Sequence, residues 1–171
     1  MIHERDMMHG SNWTDDDDPS GWIVTEKLDG CRAFWDGAQL WTRGGKAIPA
    51  PAWLTAGLPA FALDGEIWAG RGRFEESRLA VQYGHWTRRC RFMVFDSPGV
   101  RGDWPTRMEN ASRALRGASV ACPVAFTTCQ GREDLLNRLI RVQRAGGEGL
   151  MIREPSALYT PGRVRSLLKV K

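Results

Sequence analysis

Lysine is scarce in this chain and occupies few positions. Of the 24 basic side chains, 20 are arginines and four are lysines, at positions 27, 46, 169 and 171. Arginine keeps its charge, whereas a lysine amine can lose its proton and attack an electrophile. Lys27 lies in the segment 26–30 (Glu-Lys-Leu-Asp-Gly), and Lys169 and Lys171 close the sequence. Lys27 is therefore the first candidate for covalent chemistry, and the alternative is a surface lysine left in an arginine-rich sequence.

Composition indicates one globular domain with a mild preference for anionic partners. The 171 residues suit a single core, and 42% hydrophobic and 26% charged residues are ordinary values. The net charge of +4 and the isoelectric point near 9.1 favour nucleic acid as a partner. The four cysteines show no metal-binding spacing, which predicts reduced thiols.

The N-terminal region shows no targeting signal. No basic segment followed by an apolar run begins the sequence, and no apolar stretch approaches the roughly 20 residues that cross a bilayer. We therefore expect a cytoplasmic protein without a membrane partner. The acidic run from Asp15 to Asp18 is expected to be a solvated loop.

Hydrophobic periodicity predicts more strands than helices. Asp36 and Gly37 indicate a hairpin turn, and Gly146 with Gly147 ends the clearest helix. Residues 1–20 are expected to be irregular. The predicted strands cover 22–28, 31–35, 39–42, 62–68, 91–95, 120–127, 150–153 and 167–171, and the predicted helices cover 75–83, 105–116 and 132–144. This order favours an α+β fold with largely antiparallel sheet.

Further motifs follow the Lys27 segment in a fixed order, and together they resemble those of the covalent nucleotidyltransferases, in particular the ATP-dependent DNA ligases. The motifs are 25–32, 42–45, 64–66, 95–96, 148–153, 159–163 and 167–171. A finer resemblance to the minimal bacterial ATP-dependent ligases rests on residues 21–22, 35–37, 63–74 and 92–96. The resemblance implies a nucleotidyltransferase (ATP-grasp-like) adenylation domain over residues 1–171, with two antiparallel sheets flanked by helices. The OB-fold domain of such ligases is expected to lie outside these residues.

The resemblance implies that Lys27 attacks the α-phosphate of ATP and forms lysyl-AMP. The AMP then passes to the 5′-phosphate of a nick in double-stranded DNA, and the 3′-hydroxyl seals the strand. Lys169 and Lys171 would contact the α-phosphate. An isolated lysine has a pKa of about 10.4 and must be deprotonated to attack. The site is therefore expected to lower the pKa of Lys27 through these cations and a metal ion.

The resemblance also implies how ATP is held. Thr25 would read the adenine edge, at a position where many relatives have Glu, and Phe95 would stack on the adenine. Arg32 and Glu66 would bind the ribose. The implied nucleotide-binding set is completed by Glu26, Asp29, Arg43 and Arg163.

The remaining implied roles concern charge. Asp29, with Gly30, would shape the turn that presents the amine of Lys27. Arg43 would contact the 5′-phosphate of the nick, and Arg163 would support the phosphate site. Glu66 and Glu148 would bind Mg²⁺, which proteins usually hold through one or two carboxylates with phosphates and water.

Two alternatives stay open beside a monomeric ligase that acts on ATP and nicked DNA. RNA ligases and mRNA-capping guanylyltransferases share the Lys-x-Asp-Gly core, although Phe95-Asp96 and the ending 162–171 favour a DNA ligase. A remnant that binds nucleotide or nicked DNA without turnover is the second alternative, because the OB-fold domain is not expected in these residues.

Overall fold

Two five-stranded sheets form the frame of the protein, seen in a computed structural model that describes residues 4–171. The strands are β1 (Met8–Asn12), β2 (Ile23–Lys27), β3 (Cys31–Trp35), β4 (Leu40–Thr42), β5 (Leu63–Trp68), β6 (Arg91–Asp96), β7 (Ala121–Pro123), β8 (Phe126–Thr128), β9 (Gly149–Arg153) and β10 (Gly162–Val170). The helices are α1 (Ala52–Thr55), α2 (Phe74–Tyr83), α3 (Trp104–Ala114) and α4 (Arg132–Arg144), with short 3₁₀ turns at Glu4–Asp6 and Leu115–Gly117.

The first sheet has the strand order β1-β10-β9-β2-β8. Side chains alternate between the two faces along a strand. Thr25 pairs with Met151, and Met151 pairs with Lys169. These three residues therefore share one face of the sheet with Lys27. The opposite face packs against α4 through the buried core residues Val24, Leu135, Leu139, Leu150, Ile152 and Leu168. The helix therefore covers one face of this sheet and leaves the lysine face open.

The second sheet has the order β4-β3-β5-β6-β7. Arg32 on β3 pairs directly with Glu66 on β5. The neighbouring residues Ala33 and Ile67 belong to a large buried core that also includes residues of α1, α2 and α3. One face of the sheet is thus anchored in the core, while Arg32 and Glu66 project from the other face.

Most predicted elements are present, and α4 spans residues 132–144 as predicted. The prediction of an irregular segment over 1–20 was wrong at 8–12, since β1 forms there and pairs in parallel with β10. Residues 1–3 lie outside the described residues. The single strand over 120–127 was also wrong, because β7 joins the second sheet and β8 the first. Each sheet therefore contains one parallel pair, β1 with β10 and β6 with β7, and is mixed rather than antiparallel.

Other predictions about loops and cysteines hold. The four cysteines are free. The acidic loop is largely exposed, and two of its carboxylates meet arginines: Asp15 pairs with Arg132, and Asp17 pairs with Arg165. No helix in the described residues is long and apolar enough to cross a membrane.

Gly30 lies where the turn after β2 presses against β5. A Cβ atom at this position would lie 2.3 Å from the carbonyl oxygen of Ile67 and 2.9 Å from Cγ of Glu66. We expect Gly30→Ala to lower the free energy of unfolding by about 1–3 kcal/mol, because the backbone must move apart. Gly117→Ala is the control, since a Cβ there meets nothing within 4 Å. Urea unfolding of both variants measures the difference, and equal stabilities would contradict this account.

Candidate active site

A cleft of about 740 Å³ lies between the two sheets and extends to α2. The sheets place charged side chains from distant parts of the sequence around it. Nine of the residues that the sequence indicated line this cleft: Thr25, Glu26, Lys27, Arg32, Arg43, Glu66, Phe95, Lys169 and Lys171. Glu148 lies at the edge of the cleft, where it contacts Lys27 and Lys171.

Glu148 joins two of the lysines at one end of the cleft. The Lys27 ammonium donates a hydrogen bond to Oε2 of Glu148 at 2.5 Å. The Lys171 ammonium lies 2.5 Å from Oε1 of the same carboxylate. Burial alone would raise the pKa of Glu148, but the hydrogen bonds from Lys171 and Lys27 outweigh it and lower the pKa. One carboxylate thus holds both amines in position.

Lys169 is the third cation of this group and is held differently. Within residues 4–171 its ammonium makes no salt bridge to a carboxylate. Burial lowers the pKa of Lys169, and the nearby cations Arg163, Lys27, Lys171 and Arg43 lower it further. An uncompensated cation in a partly buried position attracts an anion, which makes this end of the cleft suitable for a phosphate group.

Glu66 faces the same space from the second sheet. Burial raises the pKa of Glu66 to about 8, and the attraction of Arg32 and Lys27 offsets only part of that rise. No hydrogen bond to its carboxyl group occurs within the described part of the chain. At neutral pH the ligand-free cleft therefore favours a protonated Glu66, and a cation brought in by a ligand would compete with that proton.

The raised pKa of Glu66 has a consequence for stability. An unfolded glutamate ionises near its ordinary pKa of 4.5, whereas the folded one retains its proton up to about pH 8. Between these values folding requires proton uptake, so Glu66 destabilises the fold progressively as pH rises and fully above pH 8. We expect Glu66→Gln to be more stable than the natural protein at pH 9 by on the order of 2–4 kcal/mol, with little difference at pH 4.5.

Chemical unfolding from pH 4.5 to 9 measures this effect. Glu133→Gln, which changes an exposed carboxylate on α4, is the matched control and should show no such trend. A Glu66→Gln difference that does not vary with pH would contradict the assignment.

A partly buried network holds Arg32 in the wall of the cleft. The guanidinium donates to both carboxylate oxygens of Asp64, at 3.0 and 2.6 Å, and to the carbonyl of Met8 at 2.8 Å. The hydroxyl of Tyr159 donates to Asp64 at 2.7 Å. The guanidinium carbon also lies 5.4 Å from the centre of the Phe95 ring. These contacts tie β1 and the segment before β10 to the second sheet, and they fix Arg32 next to Phe95.

Several predicted residues have protein partners at or beyond the rim of the cleft. The Arg71 guanidinium donates two hydrogen bonds to the carboxylate of Glu26, at 2.8 and 2.7 Å. Arg43 is exposed and lies 3.5 Å from Glu4. Arg163 donates to the carbonyl of Gly10 at 3.0 Å. Asp29 is exposed in the turn between β2 and β3. Their roles toward a ligand remain predictions.

The cleft also contains residues that the sequence patterns did not indicate. His9 and Gly10 enter it from β1, and Arg78 and Gln82 enter it from α2. The pattern of β1 carries no strand signal, so its position depends on pairing with β10, which lies more than 150 residues later. The helical period could have indicated the residues of α2. It places them on the helix face next to the buried residues, and that face must border the second sheet.

The carboxylates of Glu66 and Glu148 suit a metal ion that binds together with a ligand. The described residues contain no group of three or more His, Cys, Asp or Glu side chains that could hold a metal by themselves. Glu66 and Glu148 interact electrostatically across the cleft. One or two carboxylates are what Mg²⁺ usually takes from a protein when phosphates and water supply its other ligands.

Comparisons with known proteins identify relatives of this chain. No protein-family model matches the chain. A DNA ligase of Haemophilus influenzae is 32% identical over 159 residues, which are 88% of this chain and 58% of that protein. The chain thus spans less than two thirds of that relative.

Solved structures agree with that relationship. A structure from a study of DNA binding by Lig E DNA ligases is 35% identical, with a TM-score of 0.86 over 96% of this chain and 68% of that one. The DNA ligase–adenylate of Chlorella virus is 26% identical, with a TM-score of 0.81 over the same shares of the two chains. This chain is therefore a nucleotidyltransferase domain that belongs to the family of ATP-dependent DNA ligases.

Proposed function

We propose that the cleft binds ATP, attaches AMP to Lys27 and passes it to the 5′-phosphate of nicked DNA. The observation that carries this proposal is the convergence of Lys27, Lys169 and Lys171 with Glu148 at one end of the cleft. A nucleophilic amine is thereby set among cations that suit a phosphate. The family relationship supports the same reading.

In the first step the Lys27 amine attacks the α-phosphorus of ATP. The Lys27 ammonium first loses a proton to solvent, because only the neutral amine can attack. The nitrogen–phosphorus bond then forms, the bond to pyrophosphate breaks, and a second proton leaves the nitrogen for solvent. Glu148 is within hydrogen-bond distance of that amine and is suited to hold it in line. Lys169 and Lys171 stabilise the negative charge that develops on the phosphate oxygens.

The adenosine would lie between the sheets, next to Thr25, Phe95 and Arg32. Phe95 offers an aromatic face to the base. Arg32 is already bound by Asp64, so its contribution is a fixed positive charge beside the ribose rather than a mobile contact. Glu66 and Glu148 would hold Mg²⁺ with the phosphates, and the ion would reduce the repulsion between them.

In the later steps an oxygen of the DNA 5′-phosphate takes the AMP from Lys27, and the amine is released. The 3′-hydroxyl then attacks the 5′-phosphate, the phosphodiester forms, and AMP leaves. Exposed Arg43 at the edge of the cleft is suited to meet the 5′-phosphate. Nicked double-stranded DNA as substrate, a monomeric state and a cytoplasmic location are parts of this proposal.

Incubation with α-labelled ATP or GTP and Mg²⁺ tests the first step. We expect label on the protein from ATP. Label from GTP alone would instead support a capping-type guanylyltransferase. A nick that already carries AMP on its 5′-phosphate tests the later steps separately, and it should be sealed without added ATP. Absence of both the adduct and the sealing would favour a nucleotide-binding or DNA-binding remnant.

A further inference from the structure

We propose that Trp104 is a positioning residue that fixes the backbone of Phe95 and so sets the place of the nucleotide base. The inference rests on the proposed function, because it assumes that Phe95 carries the base. It concerns a residue outside the cleft, and it follows from how β6 ends.

Phe95 lies in an irregular part of the second sheet. The register pairs Asp64 with Asp96 and Gly65 with Val94, so Phe95 is skipped and forms a bulge on β6. On the other side, the pairing of β6 with β7 ends at Val94. Bulges redirect a side chain and leave the bulged residue without ladder hydrogen bonds. Here the bulge leaves the Phe95 carbonyl in need of another donor.

Trp104 supplies that donor. The indole N–H of this fully buried residue donates to the Phe95 carbonyl at 2.9 Å. Its ring is held on two other sides, by Phe126 at 5.0 Å between ring centres and by the guanidinium of Arg153 at 5.5 Å. Trp104 therefore connects the bulge of the second sheet with β8 and β9 of the first.

The residue after Phe95 is fixed just as firmly. Asp96 accepts hydrogen bonds from Arg107 and Arg153, and all three side chains are buried. With Asp96 anchored by its side chain and Phe95 by its carbonyl, the ring of Phe95 has little freedom to shift. Loss of the indole N–H would release one of these two anchors and loosen the ring without removing any group from the cleft.

Equilibrium binding of two ligands tests the inference in the natural protein and three variants. The ligands are α,β-methylene-ATP, which carries the base but cannot transfer AMP, and inorganic tripolyphosphate, which lacks it. Trp104→Phe removes the N–H. Trp35→Phe is the matched control, because Trp35 is also buried, donates its N–H to the carbonyl of Pro59 and lies outside the cleft lining. A second variant, with β-(3-benzothienyl)alanine at position 104, keeps the fused ring and lacks only the N–H.

We expect both changes at position 104 to weaken binding of α,β-methylene-ATP about fivefold, the effect of one hydrogen bond. Tripolyphosphate binding should stay unchanged, and Trp35→Phe should bind both ligands normally. Equal weakening of both ligands would overturn the inference, because it would mean a general loss of structure. Unchanged binding of the analogue would overturn it as well. If the natural protein binds neither ligand, the proposed function fails first, and this inference falls with it.

Discussion

Lys27→Ala is expected to abolish transfer of AMP from ATP to the protein, by at least about a thousandfold, since no other group replaces a lost nucleophile. The variant keeps Glu148 paired with Lys171, so the fold and the other cations should persist. Lys46→Ala is the control, because Lys46 is exposed in the hairpin after β4 and lies outside the cleft lining. Label transfer from α-labelled ATP, followed over time, measures both variants.

Two results would contradict the assignment of Lys27. Retention of the adduct in Lys27→Ala would place the nucleophile elsewhere. Loss of the adduct in Lys46→Ala would show that the assay responds to surface charge rather than to the cleft. Circular dichroism of each variant shows that the comparison is made between folded proteins.

Asp96→Ala is expected to lower the free energy of unfolding by about 3–5 kcal/mol. Arg107 and Asp96 are both about 1% exposed, and Arg153 is 8% exposed. Removing the one carboxylate would leave two buried guanidinium groups facing each other without compensation, which is far more costly than the loss of a surface ion pair. Arg107 would keep its hydrogen bonds to the carbonyls of Gly102 and Ala157, which do not neutralise charge.

The control for Asp96 lies on the same helix as Arg107. Glu109→Ala breaks the exposed pair with Arg113, in which Glu109 is 72% exposed, and should cost no more than about 1 kcal/mol. Thermal and urea unfolding measure both variants. A cost for Asp96→Ala as small as that of the control would mean that the buried ion pairs do not hold β6, α3 and β9 together.

The sequence predicted which residues meet in the cleft better than it predicted the framework around them. Lys27 was singled out because a lysine among arginines has a distinct chemical use, and Lys169 and Lys171 were added by the resemblance to the ligases. The cleft brings all three together. Helix α4 was predicted over its full length because its apolar side chains recur at the helical period and two glycines follow it.

The elements that escaped prediction are held by partners far away in the sequence. Strand β1 contains His9, Gly10 and Asn12, which have low strand propensity, and it forms because β10 offers an edge to pair with. Strands β7 and β8 look like one apolar segment, yet the chain crosses from one sheet to the other between Pro123 and Phe126. Strand periodicity alone does not show which sheet a strand joins.

The supporting network of the site was invisible for a similar reason. Asp64 was recognised as part of a motif, but its two partly buried partners, Arg32 and Tyr159, come from opposite ends of the chain. The link from Trp104 to Phe95 depends on a bulge. Such contacts are set by packing and register, which no local pattern encodes.

Peptide mapping by mass spectrometry after incubation with ATP and Mg²⁺ tests whether Lys27 is the residue that carries AMP. The lysines are few, so the peptide that gains the mass of one AMP can be assigned without ambiguity. We expect a single adduct, on Lys27, that forms with ATP. An adduct on Lys46, Lys169 or Lys171, or no adduct at all in a folded protein that binds ATP, would contradict it.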